Sequence, residues 1–140
     1  MNLDFEYQKV INSLEQRFNF EKKEDSKFDF FKLDRSLKLM DLIESPNKSN
    51  ALTIHIAGTN GKGSVSSLLS SVLSLNYKVG LYSSPHLYNY TERIKINNEN
   101  ISKKDFTYLY NFIEKKILEY EKISGKTFSF FEVLTAMSFI

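Results

Sequence analysis

Three glycines set between an apolar run and a long Ser/Leu/Val stretch constrain this chain more than any other feature. Leu52–Ala57 reads LTIHIA, Gly58-Thr59-Asn60-Gly61-Lys62-Gly63-Ser64 follows at once, and small and branched residues continue to Leu75. Strand, glycine-rich turn, helix is the order in which a phosphate-binding loop is built. Such a loop needs backbone N–H groups that converge on oxygen anions, a helix N-terminus behind them, and a cation that reaches the outer phosphates. Gly58, Gly61 and Gly63 supply the backbone freedom, the helix from Ser64 the dipole, and Lys62 the charge. A plain strand-to-helix turn uses one glycine where φ must be positive; three, interleaved with Thr, Asn and Lys, exceed that need. The generic pattern G-x-x-x-x-G-K-[ST] fits imperfectly. Alignment on Gly61-Lys62 puts Ile56 at the first glycine and Gly63 where a metal-binding hydroxyl belongs, with Ser64 one residue late.

Val79–Tyr82 is a second buried-type run, so residues 52–82 predict one βαβ unit with parallel strands and a right-handed crossover. Arg93–Ile96 predicts a further short strand that turns at Asn97-Asn98-Glu99-Asn100. Helical spacing is clear over residues 3–18, where Leu3, Tyr7, Val10, Ile11, Leu14 and Phe18 share one face. A second helix is predicted from Asp34 to Ile43 with Leu33, Leu37, Met40 and Leu42 inward, stopped by Ser45-Pro46-Asn47. Ser102 and Asp105 predict the capped start of a helix to about Ile123, and a last apolar helix begins near Phe130. Residues 19–32, mixing charges with phenylalanines, read as a loop that closes over something.

Composition removes several classes of function. The 140 residues contain no cysteine and two histidines, His55 and His86, which excludes a zinc knuckle, an iron–sulfur site, a cysteine nucleophile and a disulfide scaffold. Nineteen basic and 17 acidic residues leave a net charge of +2 with no polybasic arm, so nucleic-acid binding by phosphate neutralisation has no support. No apolar run approaches the roughly 20 residues needed to cross a bilayer, and the start, MNLDFEYQKV, lacks a signal-peptide layout. A cytoplasmic protein without membrane or nucleic-acid partners is expected. The length suits one domain, yet the last helix stops in the middle of its apolar pattern without a capping residue, which predicts an incomplete chain.

The Gly58–Ser64 segment resembles the variant P-loop of folylpolyglutamate synthase and dihydrofolate synthase enzymes, members of the Mur ligase superfamily, in which the same extra glycine stands between Lys and Ser. Tyr82-Ser83-Ser84-Pro85-His86-Leu87 and Tyr90-Thr91-Glu92-Arg93-Ile94 resemble that family's Ω-loop. Phe130-Phe131-Glu132, with Thr135-Ala136, resembles the helix start that lines its pterin pocket. Order and spacing agree over residues 52–140, whereas the first 50 match only loosely. The resemblance implies an α/β fold: a P-loop, Mur-ligase-type central domain with a mostly parallel sheet, beginning at residue 51 and truncated at 140, behind an N-terminal helical segment of residues 1–50.

The chemistry it implies is an ATP-dependent carboxylate–amine ligation. The carboxylate of folate or dihydropteroate takes a phosphoryl group from ATP, and the amine of L-glutamate then displaces phosphate from the acyl phosphate to form an amide. Such a reaction chiefly needs positioning and charge neutralisation. Carried over position by position, Gly58, Thr59, Asn60, Gly61, Lys62, Gly63 and Ser64 bind the ATP phosphates, with Lys62 as the catalytic cation. Ser84 is a magnesium ligand, and Ser129, Phe130, Phe131 and Glu132 contact the pterin or folate. His86 has a role in the Ω-loop, and Arg93 either pairs with Glu92 or ties that loop down. His55 is expected to pack or to make a buried hydrogen bond. Partners are then small molecules only, Mg2+ is the cofactor, and a monomer is expected. The family's magnesium-binding glutamate lies further downstream than Glu132, so the 140 residues alone are not expected to turn over. Two alternatives remain open from the sequence. One is a Mur-type ligase acting on UDP-muramoyl peptides, whose loop ordinarily lacks the extra glycine, and the other is a nucleotide-binding module without catalysis.

Overall fold

A computed structural model of the chain describes residues 2–19, 33–44 and 51–140. In chain order the elements are α1 (Leu3–Glu15), α2 (Leu33–Leu42), α3 (Lys62–Leu73), β1 (Gly80–Tyr82), a 3-10 turn (Tyr90–Arg93), β2 (Ile94–Ile96), β3 (Glu99–Asn100), α4 (Lys103–Ser124) and α5 (Phe130–Ser138). They form two compact units, Met1–Ser49 with Lys104–Ile140, and Asn50–Lys103. The expected loop at 20–32 and the Ser45-Pro46-Asn47 stop lie outside the described residues.

The first unit is helical. α1 is capped by Asn2, whose side chain accepts the Asp4 N–H, and buries Tyr7, Val10, Ile11 and Leu14. These positions recur at three- and four-residue steps, the period of one helix face. On α4 the buried side chains are Phe106, Thr107, Tyr110, Ile113 and Ile117, again a single stripe, and Tyr7 meets Phe106 edge to face with ring centroids 5.6 Å apart. Ser13 and Tyr110 join the two helices through a 2.6 Å hydroxyl–hydroxyl bond. Burial pushes the Tyr110 phenol above its ordinary value against the opposing bond from Ser13, so the hydroxyl is neutral in this contact. Phe130, Val133, Leu134, Ala136 and Met137 of α5 complete the core.

The inward face of α2 differs from the expected one. Leu33 and Leu37 are exposed, while Leu39, Met40 and Ile43 are buried. The reason is Arg35, which lies one helical turn before Leu39 on the same face and donates to the Thr127 carbonyl and, at 2.8 Å, to Glu132 Oε2. A polar anchor sets the rotation of this helix, and an apolar pattern cannot register it.

The second unit holds the glycine loop and a small sheet of order β1-β2-β3. Both pairings are antiparallel, Gly80 opposite Ile96 and Lys95 opposite Asn100. The predicted parallel ladder between Leu52–Ala57 and Val79–Tyr82 is absent among the described residues: 52–57 has no strand pairing, with Leu52 90% and Ile54 50% exposed. A strand exists through its partners, and among the described residues β1 is paired only with β2. His55, expected to be packed, is exposed for the same reason. The β2–β3 connection is the Asn97-Asn98 pair, both at positive φ, as a tight two-residue hairpin requires. Asn97 also bridges back to β1, its side chain accepting the Val79 N–H at 2.8 Å and its backbone N–H donating to the Val79 carbonyl at 2.9 Å.

Candidate functional site

In the second unit, Gly61 is the N-cap of α3 with φ +77°, a left-handed conformation that costs a residue with a Cβ roughly 1–2 kcal/mol. Because glycine carries no side chain, α3 begins without a side-chain cap. The first intrahelical bond is Val65 N–H to the Gly61 carbonyl, which leaves the N–H groups of Lys62, Gly63 and Ser64 without intrahelical acceptors. All three residues are exposed. Three N–H groups without intrahelical acceptors at a positive helix end are the elements of an oxyanion cradle. Gly63 is not required by the fold, since a Cβ there would meet nothing within 4 Å.

Lys62 folds back over the loop. Its Nζ donates to the carbonyls of Gly58 at 2.5 Å and Thr59 at 3.3 Å. An ammonium group has three donors, so two bonds fix its place and a third proton remains for an acceptor outside the loop. Thr59 and Asn60 lie in the exposed turn before it, and Ser64 carries its hydroxyl in the first turn of α3.

The Ω-loop follows β1 and is closed by two adjacent residues. Glu92 Oε2 accepts the Leu87 N–H at 2.8 Å, and Oε1 accepts those of Tyr88 at 3.0 Å and Asn89 at 2.7 Å. Those backbone bonds hold the Glu92 carboxyl below its ordinary value, led by Leu87 and Asn89, with a smaller contribution from nearby His86. Arg93, only 1% exposed, donates Nε–H to His86 Nδ1 at 2.8 Å, and its carbonyl accepts the Ser83 N–H at 2.9 Å. Ser84, joined to Pro85 by a cis peptide bond, is exposed within this closed loop. No group of three or more His, Cys, Asp or Glu stands together among the described residues. The donor set suits a cation that takes one or two protein oxygens and fills the rest of its shell with phosphate oxygens and water, as Mg2+ does.

Ser129, Phe130, Phe131 and Glu132 lie in the first unit, at the start of α5. Ser129 and Glu132 form a capping box, the reciprocal arrangement that satisfies helix-end N–H groups. Glu132 Oε2 accepts from the Ser129 N–H and hydroxyl, both at 2.7 Å, and from Arg35. All three bonds fall on Oε2, and among the described residues none falls on Oε1. Phe130 is buried in the core and Phe131 is 42% exposed.

Arg35 and Arg17 escaped the sequence reading. Arg17 donates to Glu121 at 2.7 Å and to the Phe128 carbonyl at 3.1 Å, and the Phe130 N–H reaches the Phe18 carbonyl at 2.9 Å. These bonds fix the approach to α5. The S-x-x-E spacing of Ser129 and Glu132 was the available sequence signal for the cap.

No protein-family model matches the chain. A dihydrofolate synthase/folylpolyglutamate synthase of Bacillus subtilis is 33% identical over 109 residues, 77% of this chain and 25% of that protein. The crystal structure of folylpolyglutamate synthase from Thermotoga maritima superposes with a TM-score of 0.84 at 37% identity, covering 99% of this chain and 30% of that one. Mycobacterium tuberculosis folylpolyglutamate synthase complexed with ADP superposes with a TM-score of 0.82 at 35% identity, covering 99% and 29%. The chain spans between 11% and 25% of the length of the curated relatives compared.

Proposed function

We propose, since this chain belongs to the folylpolyglutamate synthase/dihydrofolate synthase family of the Mur ligase superfamily, that its glycine loop binds the phosphates of ATP for glutamate ligation to folate or dihydropteroate. The observation that carries the reading is the start of α3, which has no side-chain cap and three exposed residues in its first turn, with the Lys62 ammonium folded back over the loop. The relative from Mycobacterium tuberculosis is a complex with ADP, which supports a nucleotide as the ligand.

The residues divide the work. The N–H groups of Lys62, Gly63 and Ser64 hold phosphate oxygens, and Gly58, Thr59, Asn60 and Gly61 shape the turn that presents them. Lys62 is the catalytic cation, its third N–H neutralising charge on the transferred phosphoryl group. The substrate carboxylate is already ionised at neutral pH, so its attack needs no general base. Mg2+ supplies further neutralisation of phosphate charge, and the hydroxyl of Ser84 is the oxygen that would hold it. Phe131 offers an apolar wall to the pterin and Glu132 Oε1 an acceptor, while Ser129 and Phe130 support them from the cap and the core. The N-terminal helical segment, 1–50, precedes an ATP-binding domain that starts at 51. The proposed protein is a cytoplasmic monomer using small-molecule substrates; no helix among the described residues is long and apolar enough to cross a membrane.

Calorimetric titration of Mg-ATP into the wild-type chain and into Lys62→Ala tests the assignment. Saturable binding to the wild type, weakened at least tenfold in the variant, is expected, because a lost charge-assisted contact is worth about 1.5–3 kcal/mol. Equal affinities would refute the role of Lys62.

A further inference from the structure

Asn60 is the only asparagine of the chain that is followed by glycine, and the pair stands in the exposed turn before α3. An asparagine amide is open to attack by the backbone nitrogen of the next residue, a reaction that a side chain on that residue obstructs and glycine does not. At Gly61 the space is open, since nothing lies within 4 Å of where a Cβ would stand. Neither the Asn60 side chain nor the Gly61 N–H has a hydrogen-bond partner among the described residues. Charge favours the attack as well. The Gly61 nitrogen sits at the positive end of α3, and the Lys62 ammonium lies on the Gly58 and Thr59 carbonyls of the same turn, so negative charge that develops on the amide nitrogen or the attacked carbonyl oxygen is stabilised. The other asparagines on the same footing are restrained. Asn12, followed by Ser13, is held within α1 with its side-chain oxygen accepting from Gln8 Nε2 at 3.1 Å, and the Asn97 side-chain oxygen accepts the Val79 N–H.

We propose that Asn60-Gly61 is a self-modification site, at which succinimide formation and hydrolysis place a carboxylate inside the glycine loop, and that a bound nucleotide restrains the reaction. In the first step a bond forms between the Gly61 nitrogen and the Asn60 side-chain carbonyl carbon. The bond from that carbon to the amide nitrogen breaks, and the Gly61 proton leaves with it as ammonia. Water then opens the ring. Attack at the side-chain carbonyl restores the normal main chain as aspartate, whereas attack at the main-chain carbonyl routes the chain through the side chain as isoaspartate. No oxidant or reductant is required. Either product adds a negative charge beside N–H groups suited to anions, so it opposes phosphate, as any charge-changing modification of an anion site does. Isoaspartate also lengthens the main chain by one carbon just before the N-cap. The protective half rests on the glycine-loop reading: phosphates held at the start of α3 fix the turn and oppose negative charge on the Gly61 nitrogen.

Ageing the 140-residue chain at neutral pH and physiological temperature, followed by peptide mass spectrometry with chromatographic separation of aspartate from isoaspartate, tests the proposal. Asn60 should gain about 1 Da and yield both products at a rate about tenfold or more above that of Asn12. Asn60→Gln, whose longer amide must close a less favourable ring, should leave position 60 unmodified. Mg-ATP at a concentration that saturates the calorimetric titration should slow the loss about threefold or more, and Asn60→Asp, which copies one product without ageing, should bind Mg-ATP about tenfold more weakly. Loss at Asn60 no faster than at Asn12 would overturn the proposal, and so would Asn60→Asp that binds as tightly as the wild type. A rate unchanged by Mg-ATP that calorimetry shows to be bound would overturn the protective half. Rapid loss at Asn60 in a chain that binds no Mg-ATP would instead refute the glycine-loop reading and leave the reactive pair standing.

Discussion

Replacing Gly63 with alanine separates what the loop does for the fold from what it does for a ligand. Gly63 is the second residue of α3, its φ lies outside the left-handed region, and an added Cβ meets no atom within 4 Å. Alanine is therefore compatible with the backbone, and a compatible Gly→Ala change stabilises a protein by about 0.4–1 kcal/mol by narrowing the unfolded ensemble. On protein grounds alone the glycine is suboptimal. On the proposed reading of the loop its value is the space above its N–H, where a methyl group would stand between the backbone and an approaching phosphate. Gly63→Ala should raise the urea midpoint slightly while lowering Mg-ATP affinity at least tenfold, ~1.4 kcal/mol. Gly61→Ala is the contrasting case, since its φ of +77° makes it lose stability and binding together. Urea unfolding and calorimetric titration on the same samples give both numbers. A Gly63→Ala chain that is more stable and binds Mg-ATP as tightly as the wild type would refute the argument that this glycine makes room for phosphate.

Two further outcomes follow from the ionised groups. Backbone N–H bonds hold the folded Glu92 carboxyl below its ordinary value, so this group stabilises the loop fully above the ordinary carboxyl range and progressively less as pH falls through the lowered value; hydrogen exchange at Leu87, Tyr88 and Asn89 should accelerate on acidification, and Glu92→Gln should make that acceleration disappear. Arg17 and Glu121 are only 9% and 14% exposed, and breaking a buried pair from one side costs about 3–5 kcal/mol, so Arg17→Met should lower unfolding free energy by roughly that amount, with Arg17→Met/Glu121→Met recovering part of it; a single-variant loss under about 1 kcal/mol would contradict the burial argument.

The elements whose residues carry their own local signal were legible. α1 announced itself by the spacing of Tyr7, Val10, Ile11 and Leu14, α3 by the glycines before it, and the hairpin by Asn97-Asn98. The strand expected at Leu52–Ala57 was read from composition alone, and pairing is a relation between segments that composition does not contain. Gly80–Tyr82 pairs with an antiparallel neighbour close in sequence, Ile94–Ile96, and among the described residues has no parallel one. Arg35 was invisible because a charged residue on an amphipathic helix is normally solvent-facing, and its partners, Thr127 and Glu132, lie more than 90 positions away. At the candidate site the loop residues could be named as a contiguous group because a backbone cradle is local in sequence. The side-chain clip of Glu92, Arg93 and His86 was only partly legible, since it depends on how the Ω-loop folds back on itself.

The claim at the centre of this account is that the backbone N–H groups at the start of α3 receive the phosphates of ATP. Amide chemical-shift mapping of the isotope-labelled chain during titration with Mg-ATP tests it most directly. The account predicts that the largest, saturable shifts fall on Gly61, Lys62, Gly63 and Ser64, and that in Gly63→Ala they need at least tenfold more nucleotide to reach half-saturation. Shifts confined to residues outside Gly58–Ser64, or none at millimolar Mg-ATP, would contradict it.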